Sequence, residues 1–272
     1  MVAGVVGQPI AHSLSPLLHS RWIEAGGLDA VYVPFAPSTE ADFIALIRGL
    51  AASGARGVNV TLPYKEVALA LADQADDVAR GAGAANLLLF IGGRIQARNT
   101  DGIGLIAALT EQAQALDLGS DPVVLLGAGG AARGAATALI GAGVRKLRVV
   151  NRTLERAVAL TTVVGGDAFA IGDAARALDG AALIVNATSA GVGPNTEVEW
   201  PLSAAPTTAV VLDMRYGRRR TALLQQADDL GMKAIDGLGM LIGQARPSFE
   251  AFYGVAPPTG IDARALLEEA IA

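Results

Sequence analysis

Short apolar runs at 2–6, 31–35, 57–61 and 86–91 alternate, over the first hundred residues, with stretches at 15–26, 39–53 and 64–80 whose apolar positions recur every three or four residues. Runs of that length suit strands, and the longer period is that of a helix with one buried face. The alternation predicts an α/β domain. After Asp101 a helical stretch leads through Gly119 and Asp121-Pro122 to strands near 123–126, 147–150, 182–186 and 209–212, each separated by helical sequence. Their near-continuous Val, Leu and Ile imply burial on both faces, as in a parallel, doubly wound sheet. From Gly237 two helical patterns flank Gly254-Val255-Ala256-Pro257-Pro258, with no further strand. The expected organisation is one α/β domain over 1–101, a second, Rossmann-type domain over 102–236, and C-terminal helices over 237–272, which by pattern alone could pack on either domain and are assigned to the first.

One junction carries chemistry. The run Val123-Val124-Leu125-Leu126 enters Gly127-Ala128-Gly129-Gly130-Ala131-Ala132, and the next strand ends in Asn151-Arg152-Thr153. A strand feeding a glycine turn and then a helix aims free backbone N–H groups at a pyrophosphate. Gly127 would make the turn, Gly129 would let phosphate approach, and Ala132 would let the helix pack closely. Roughly twenty residues after such a turn an NAD site places an acid for the ribose hydroxyl. Here Asn151, Arg152, Thr153 and Arg156 stand instead, suited to a doubly charged 2′-phosphate, so NADP is the expected cofactor. A solvated helix start would account for the two arginines on structural grounds alone.

Composition narrows the options. Only 4% of the 272 residues are aromatic while 52% are apolar, so the cores are built from Ala, Val, Leu and Ile. The net charge of −5 and the lone triplet Arg218-Arg219-Arg220 give no surface for a nucleic-acid backbone. With no cysteine and only His12 and His19, neither disulfides nor a Cys/His metal site is expected. No early basic residues precede an apolar stretch and no long uncharged apolar run occurs, so the expectation is a soluble cytoplasmic protein without a membrane partner.

Several polar residues fit poorly in a core. Ser13 and Ser15 flank an expected extended turn before Pro16, and N-capping would account for Ser15 but not Ser13. Strand periodicity puts Asn59 and Thr61 on one face, which suits a polyol. Lys65 opens a helix, where the dipole disfavours a cation, although a solvated lysine is the plain alternative. Asn86 and Asn99-Thr100-Asp101-Gly102 add amides and a carboxylate at the edges of an apolar strand pair, and Asp101 by itself reads as an N-cap.

Taken in order, Ala11-His12-Ser13-Leu14-Ser15-Pro16, Asn59-Val60-Thr61-Leu62-Pro63-Tyr64-Lys65, Asn99-Thr100-Asp101-Gly102, the glycine turn, Asn151-Arg152-Thr153 and Asp236-Gly237-Leu238-Gly239-Met240-Leu241 resemble the shikimate dehydrogenase family over nearly the whole chain. The resemblance implies interconversion of 3-dehydroshikimate and shikimate, in chorismate and aromatic amino-acid biosynthesis. It implies Lys65 and Asp101 as the catalytic pair, and Ser13, Ser15, Asn59, Thr61, Asn86 and Gln244 as substrate contacts with Tyr216 nearby. It adds Gly127, Ala128, Gly129, Gly130, Ala131, Thr188, Gly237 and Met240 to the cofactor site, with the nicotinamide between the domains near Asn186-Ala187-Thr188-Ser189. The proton donor that a nascent alkoxide needs is independently a sound role for Lys65.

Three departures from the family pattern bear on rate and substrate range: Leu87 in place of Thr, Val192 in place of Met, and a segment 216–222 without its usual prolines, which is expected to be more mobile or differently shaped. Three rival readings follow. One is a paralogue acting on quinate, which needs room for one more hydroxyl. Another is a methylene-tetrahydrofolate dehydrogenase, disfavoured by the scarcity of aromatic stacking surface. The last is a non-catalytic NADP-binding sensor, against which Lys65 and Asp101 both stand. A monomer or homodimer is expected.

Overall fold

The computed structural model of the chain describes residues 1–188 and 198–272, so Ser189 and Val192 lie outside the described residues. The chain divides into two units, Met1–Asp101 with Leu241–Ala272, and Gly102–Met240.

The first unit opens with β1 (Val2–Val6), α1 (Ser15–Ala25), β2 (Val31–Phe35), α2 (Glu40–Ala52) and β3 (Gly57–Val60). β1 lies parallel to both β2 and β3, as right-handed βαβ crossovers allow. Helix α2 starts on a capping box, in which Thr39 accepts the Asp42 N–H and Asp42 accepts the Thr39 N–H. The helix expected over 64–80 is instead broken into α3 (Lys65–Leu71), the short β4 (Gln74–Ala75) and α4 (Asp77–Ala82). Two aspartates break it: Asp73 accepts the Ile95 N–H and Asp76 caps α4 through the Ala79 N–H, so both compete with a continuous helix.

A hairpin follows, β5 (Leu87–Ile91) and β6 (Arg94–Arg98), turning on Gly92 and Gly93 with φ of 59° and 76°. Two successive positive φ values are what a two-residue hairpin turn of matching twist requires. The sheet order is β2-β1-β3-β5-β6-β4. Pairing of Asn59 with Leu87, and of Leu87 with Arg98, sets Asn59, Asn86 and the segment after β6 side by side. Register therefore gathers polar residues that are far apart in sequence.

The second unit holds most of α5 (Asp101–Gln112), then β7 (Val123–Leu126), α6 (Gly130–Gly141), β8 (Leu147–Asn151), α7 (Leu154–Val164), β9 (Asp167–Ala170), α8 (Ala174–Leu178), β10 (Leu183–Asn186), β11 (Val210–Asp213), α9 (Ala222–Asp229) and β12 (Lys233–Ile235). Among the described residues all its strands are parallel, in the order β12-β11-β10-β7-β8-β9. Counted from β7, this is the 3-2-1-4-5-6 order of a Rossmann sheet, whose switch point lies between β7 and β10. β9 and β12 join the four strands expected for this unit; both are short and open on a charged residue, which weakens their apolar signal.

The chain ends in α10 (Gly237–Tyr253) and α11 (Ala263–Ile271). Residues 237–240, expected with the first domain, fall in the second unit, because Met240 packs in its core and Gly237 lies against the Met214 and Arg215 backbone. Among the described residues no helix is long and apolar enough to cross a membrane.

Inside the first unit His19 is fully buried, stacked on Tyr32 with ring centroids 4.0 Å apart and flanked by Trp22, Phe249 and Phe252. Among the described residues neither ring nitrogen has a hydrogen-bond partner, and burial pushes its pKa down from 6.5 to about 3. The fold thus keeps the imidazole neutral, while the unfolded chain takes up a proton below about pH 6.5. Stability should therefore fall as pH drops from 6.5 toward 3, with His19 accounting for about 2 kcal/mol between pH 7 and pH 5. Urea midpoints at the two pH values should show this loss in the wild type and less of it in His19→Phe; equal losses would assign acid sensitivity to other groups.

Candidate active site

Lys65 is the first residue of α3 and Asp101 the first of α5, and their side chains meet with Nζ 2.6 Å from Oδ2. The pair is only 22% and 13% exposed, so each charge depends on the other for compensation. It also answers the unfavourable placing of a cation at the start of α3. Asp101 is not the cap it resembles: the Asn99 side chain accepts the Asp101 N–H at 3.0 Å, leaving the carboxylate for Lys65 and Asn86.

Asn86 is the hub. Its Nδ2 donates to Asp101 Oδ1 and Thr100 Oγ1, both at 2.9 Å, with Gln244 Oε1 at 3.3 Å, while its Oδ1 accepts the Thr100 N–H at 2.7 Å. Asn59, buried in β3, donates to the Asn86 carbonyl at 3.2 Å and to Ser248 Oγ at 2.9 Å, and accepts from the Tyr32 hydroxyl at 2.8 Å. Thus Lys65, Asn59, Asn86, Asp101 and Gln244 form one connected network. Tyr32 and Ser248 join it without having been expected. Ser248 lies four residues after Gln244 on the same helical face, a spacing that marks it in retrospect.

Thr61 follows β3 directly, half-buried, with its N–H on the Val6 carbonyl. Ser13 and Ser15 stand at the start of α1, but Ser15 is its first helical residue and not its cap. Leu14 occupies the cap position in αR geometry, without a side-chain bond, so the turn is not extended. Ser13 Oγ instead accepts the Ser15 N–H at 3.4 Å.

In the second unit Gly127 adopts φ 107°, a conformation that favours glycine, and a Cβ there would come within 3.1 Å of Thr188. Gly129 is the N-cap of α6 without a side-chain cap, and a Cβ on it would meet no protein atom within 4 Å. Among the described residues no side chain caps the N–H groups at the start of α6, from Gly130 and Ala131, and Ala132 is fully buried behind them. Ala128 packs partly buried against the same core.

Past β8, Asn151 donates to the Thr153 carbonyl at 2.8 Å. Arg152 and Arg156 are exposed, and among the described residues neither pairs with a carboxylate. An uncapped helix start with two open guanidinium groups nearby fits a phosphorylated dinucleotide.

Thr188 is held by Asn186 Oδ1, and Asn186 in turn by the fully buried Asp213 at 3.1 Å. Asp213 also binds Arg215 at 2.9 Å and the Thr221 hydroxyl at 2.8 Å. Tyr216, half-buried, belongs to this unit just beyond β11. In the segment after it, expected to be more mobile or differently shaped, Thr221 caps α9 and Arg220 pairs with Asp228.

Sequence comparison gives this geometry a family. Residues 5–88 match the shikimate dehydrogenase substrate binding domain, and residues 108–238 match the shikimate / quinate 5-dehydrogenase domain. The chain belongs to the shikimate dehydrogenase family. The NADP(+) shikimate dehydrogenase of Caulobacter vibrioides is 51% identical over 269 residues, covering 98% of this chain and 94% of that one. Among solved structures, shikimate 5-dehydrogenase of Thermus thermophilus, in complex with NADP(H) and shikimate, is 35% identical with a TM-score of 0.86, covering 100% of this chain and 98% of that one. Quinate dehydrogenase of Corynebacterium glutamicum, in complex with NAD, is 29% identical with a TM-score of 0.87, covering 100% and 98%.

For this shikimate dehydrogenase family member, the hub makes a stability prediction. Asn86→Ala leaves the buried Thr100 N–H without its partner and should cost about 2–3 kcal/mol, read as a lowered urea midpoint. A change below about 0.5 kcal/mol would mean that the network reorganises freely.

Proposed function

We propose that the chain is an NADP-dependent oxidoreductase that interconverts 3-dehydroshikimate and shikimate, on the route to chorismate and the aromatic amino acids. The observation that carries this reading is the Lys65–Asp101 pair, 2.6 Å long and joined through Asn86 to a polar network. Hydride addition to a ring ketone turns its oxygen into an alkoxide, and the Lys65 ammonium gives that oxygen its proton. In the oxidation direction the neutral Lys65 amine takes the hydroxyl proton as the hydride leaves. Asp101 holds Nζ in place and balances its charge. NADP(H), when bound, would supply or accept the hydride; the turn from Gly127 to Ala131 and Asn151, Arg152, Thr153 and Arg156 would hold it, with Thr188, Gly237 and Met240 on the nicotinamide side.

Ser13, Ser15, Thr61, Asn59, Asn86 and Gln244 are assigned to the substrate's carboxylate and hydroxyls, with Tyr216 beside them. The same reading has the chain acting in the cytoplasm as a monomer or homodimer. A quinate-oxidising activity is the second reading, favoured by the likeness to the quinate dehydrogenase of Corynebacterium glutamicum.

Initial rates with shikimate and quinate, each against NADP and NAD, separate the two. Shikimate with NADP should lead in kcat/KM by at least about tenfold. A lead for quinate or NAD would make the chain a specialised paralogue, and no turnover in any combination would make it a binding protein. Arg152→Ala should lower kcat/KM for NADP about 10- to 100-fold and leave NAD nearly unchanged; an equal loss with both cofactors would remove Arg152 from the 2′-phosphate.

A further inference from the structure

The orientation of the Asn59 amide is fixed from the buried side of the sheet. One Nδ2 hydrogen goes to the Asn86 carbonyl, which can only accept, so the nitrogen must face that way. The other hydrogen goes to Ser248 Oγ at 2.9 Å, and Ser248 spends its own proton on the Gln244 carbonyl at 3.1 Å. Oδ1 consequently faces Tyr32, whose hydroxyl must be the donor at 2.8 Å. Tyr32 is 4% exposed, held by its stack on His19, and Ser248 is 0% exposed. Both donors of Asn59 are thus used, and one lone pair on Oδ1 is left.

We propose that Tyr32 and Ser248 are positioning residues that make Asn59 a pure acceptor toward the substrate, so that it selects a ring hydroxyl that donates and rejects a carbonyl or ether oxygen in the same place. The proposal rests on the reading that Asn59 contacts a shikimate-like acid. Loss of the Ser248 hydroxyl exposes a free Nδ2 donor, and loss of the Tyr32 hydroxyl leaves Oδ1 without the donor that holds it, so the amide is anchored from the nitrogen side only. Either change weakens a contact made by a non-reacting hydroxyl, and neither touches Lys65 or Asp101.

The test measures kcat and KM for Tyr32→Phe, Ser248→Ala and Ser248→Thr with shikimate, and binding of the two analogues that each lack one non-reacting hydroxyl. Tyr253→Phe serves as control, removing another buried tyrosyl hydroxyl of the same unit, bonded to the Val31 carbonyl. Tyr32→Phe and Ser248→Ala should raise KM about tenfold at nearly constant kcat. Ser248→Thr should restore KM, and the control should leave it unchanged. With one of the two analogues, and not the other, the effect of both variants should vanish, as in a double-mutant cycle.

Wild-type turnover combined with an unchanged KM in both variants would overturn this inference alone. An equal loss with both analogues and in the control would overturn it as well, marking general damage to the core. If the wild-type chain turned over no shikimate, the functional reading would fall and this inference with it.

Discussion

A buried amide must place every hydrogen bond it can make or forfeit the cost of its desolvation, and Asn86 meets that demand where three strands of the first sheet converge. Its nitrogen serves Asp101 and Thr100, its oxygen serves the Thr100 backbone, and its carbonyl receives Asn59. Asp101 can then offer its other oxygen to Lys65, so the position of the ammonium is inherited from the amide behind it. The order of β3, β5 and β6 is what makes the arrangement possible, since it brings Asn59, Asn86 and Asp101 to neighbouring strand ends. The Lys65 charge is thereby carried by rigid elements, with few degrees of freedom left.

The second unit solves a different problem with the same economy. Its parallel sheet directs strand ends and helix starts to one edge, and glycine at Gly127 opens the turn that a side chain would strain. Asp213, fully buried, is tolerated because Asn186, Arg215 and Thr221 all bond it, and it fixes the turn that carries Thr188. His19 apart, the buried polar residues described above are held by satisfying them, and neither unit relies on a metal or a disulfide for that purpose among the described residues.

Much of this is legible in the chain because its signals are local. The glycine turn, the Asn151-Arg152-Thr153 segment after β8 and the polar positions Asn59 and Thr61 ahead of Lys65 are each contained within a few residues. The continuous helix expected over 64–80 fails because Asp73 and Asp76 bond backbone groups that a periodicity argument does not see. Ser15 and Asp101 both read as caps; in Asp101 the side chain is diverted to tertiary partners while Asn99 takes the Asp101 N–H. Tyr32 and Ser248 reach Asn59 across 27 and 189 residues of sequence, so only the folded register reveals them.

The proposed mechanism turns on Lys65, held by Asp101, which gives the proton from its ammonium in reduction and takes it on its amine in oxidation. Single-turnover absorbance of NADPH on mixing enzyme, NADP and shikimate, for the wild type and for Lys65→Ala, tests it most directly, with shikimate binding measured in parallel by calorimetry. Hydride transfer should be about 10²- to 10⁴-fold slower in the variant, with binding changed far less. A rate equal to that of the wild type at saturating shikimate would contradict it.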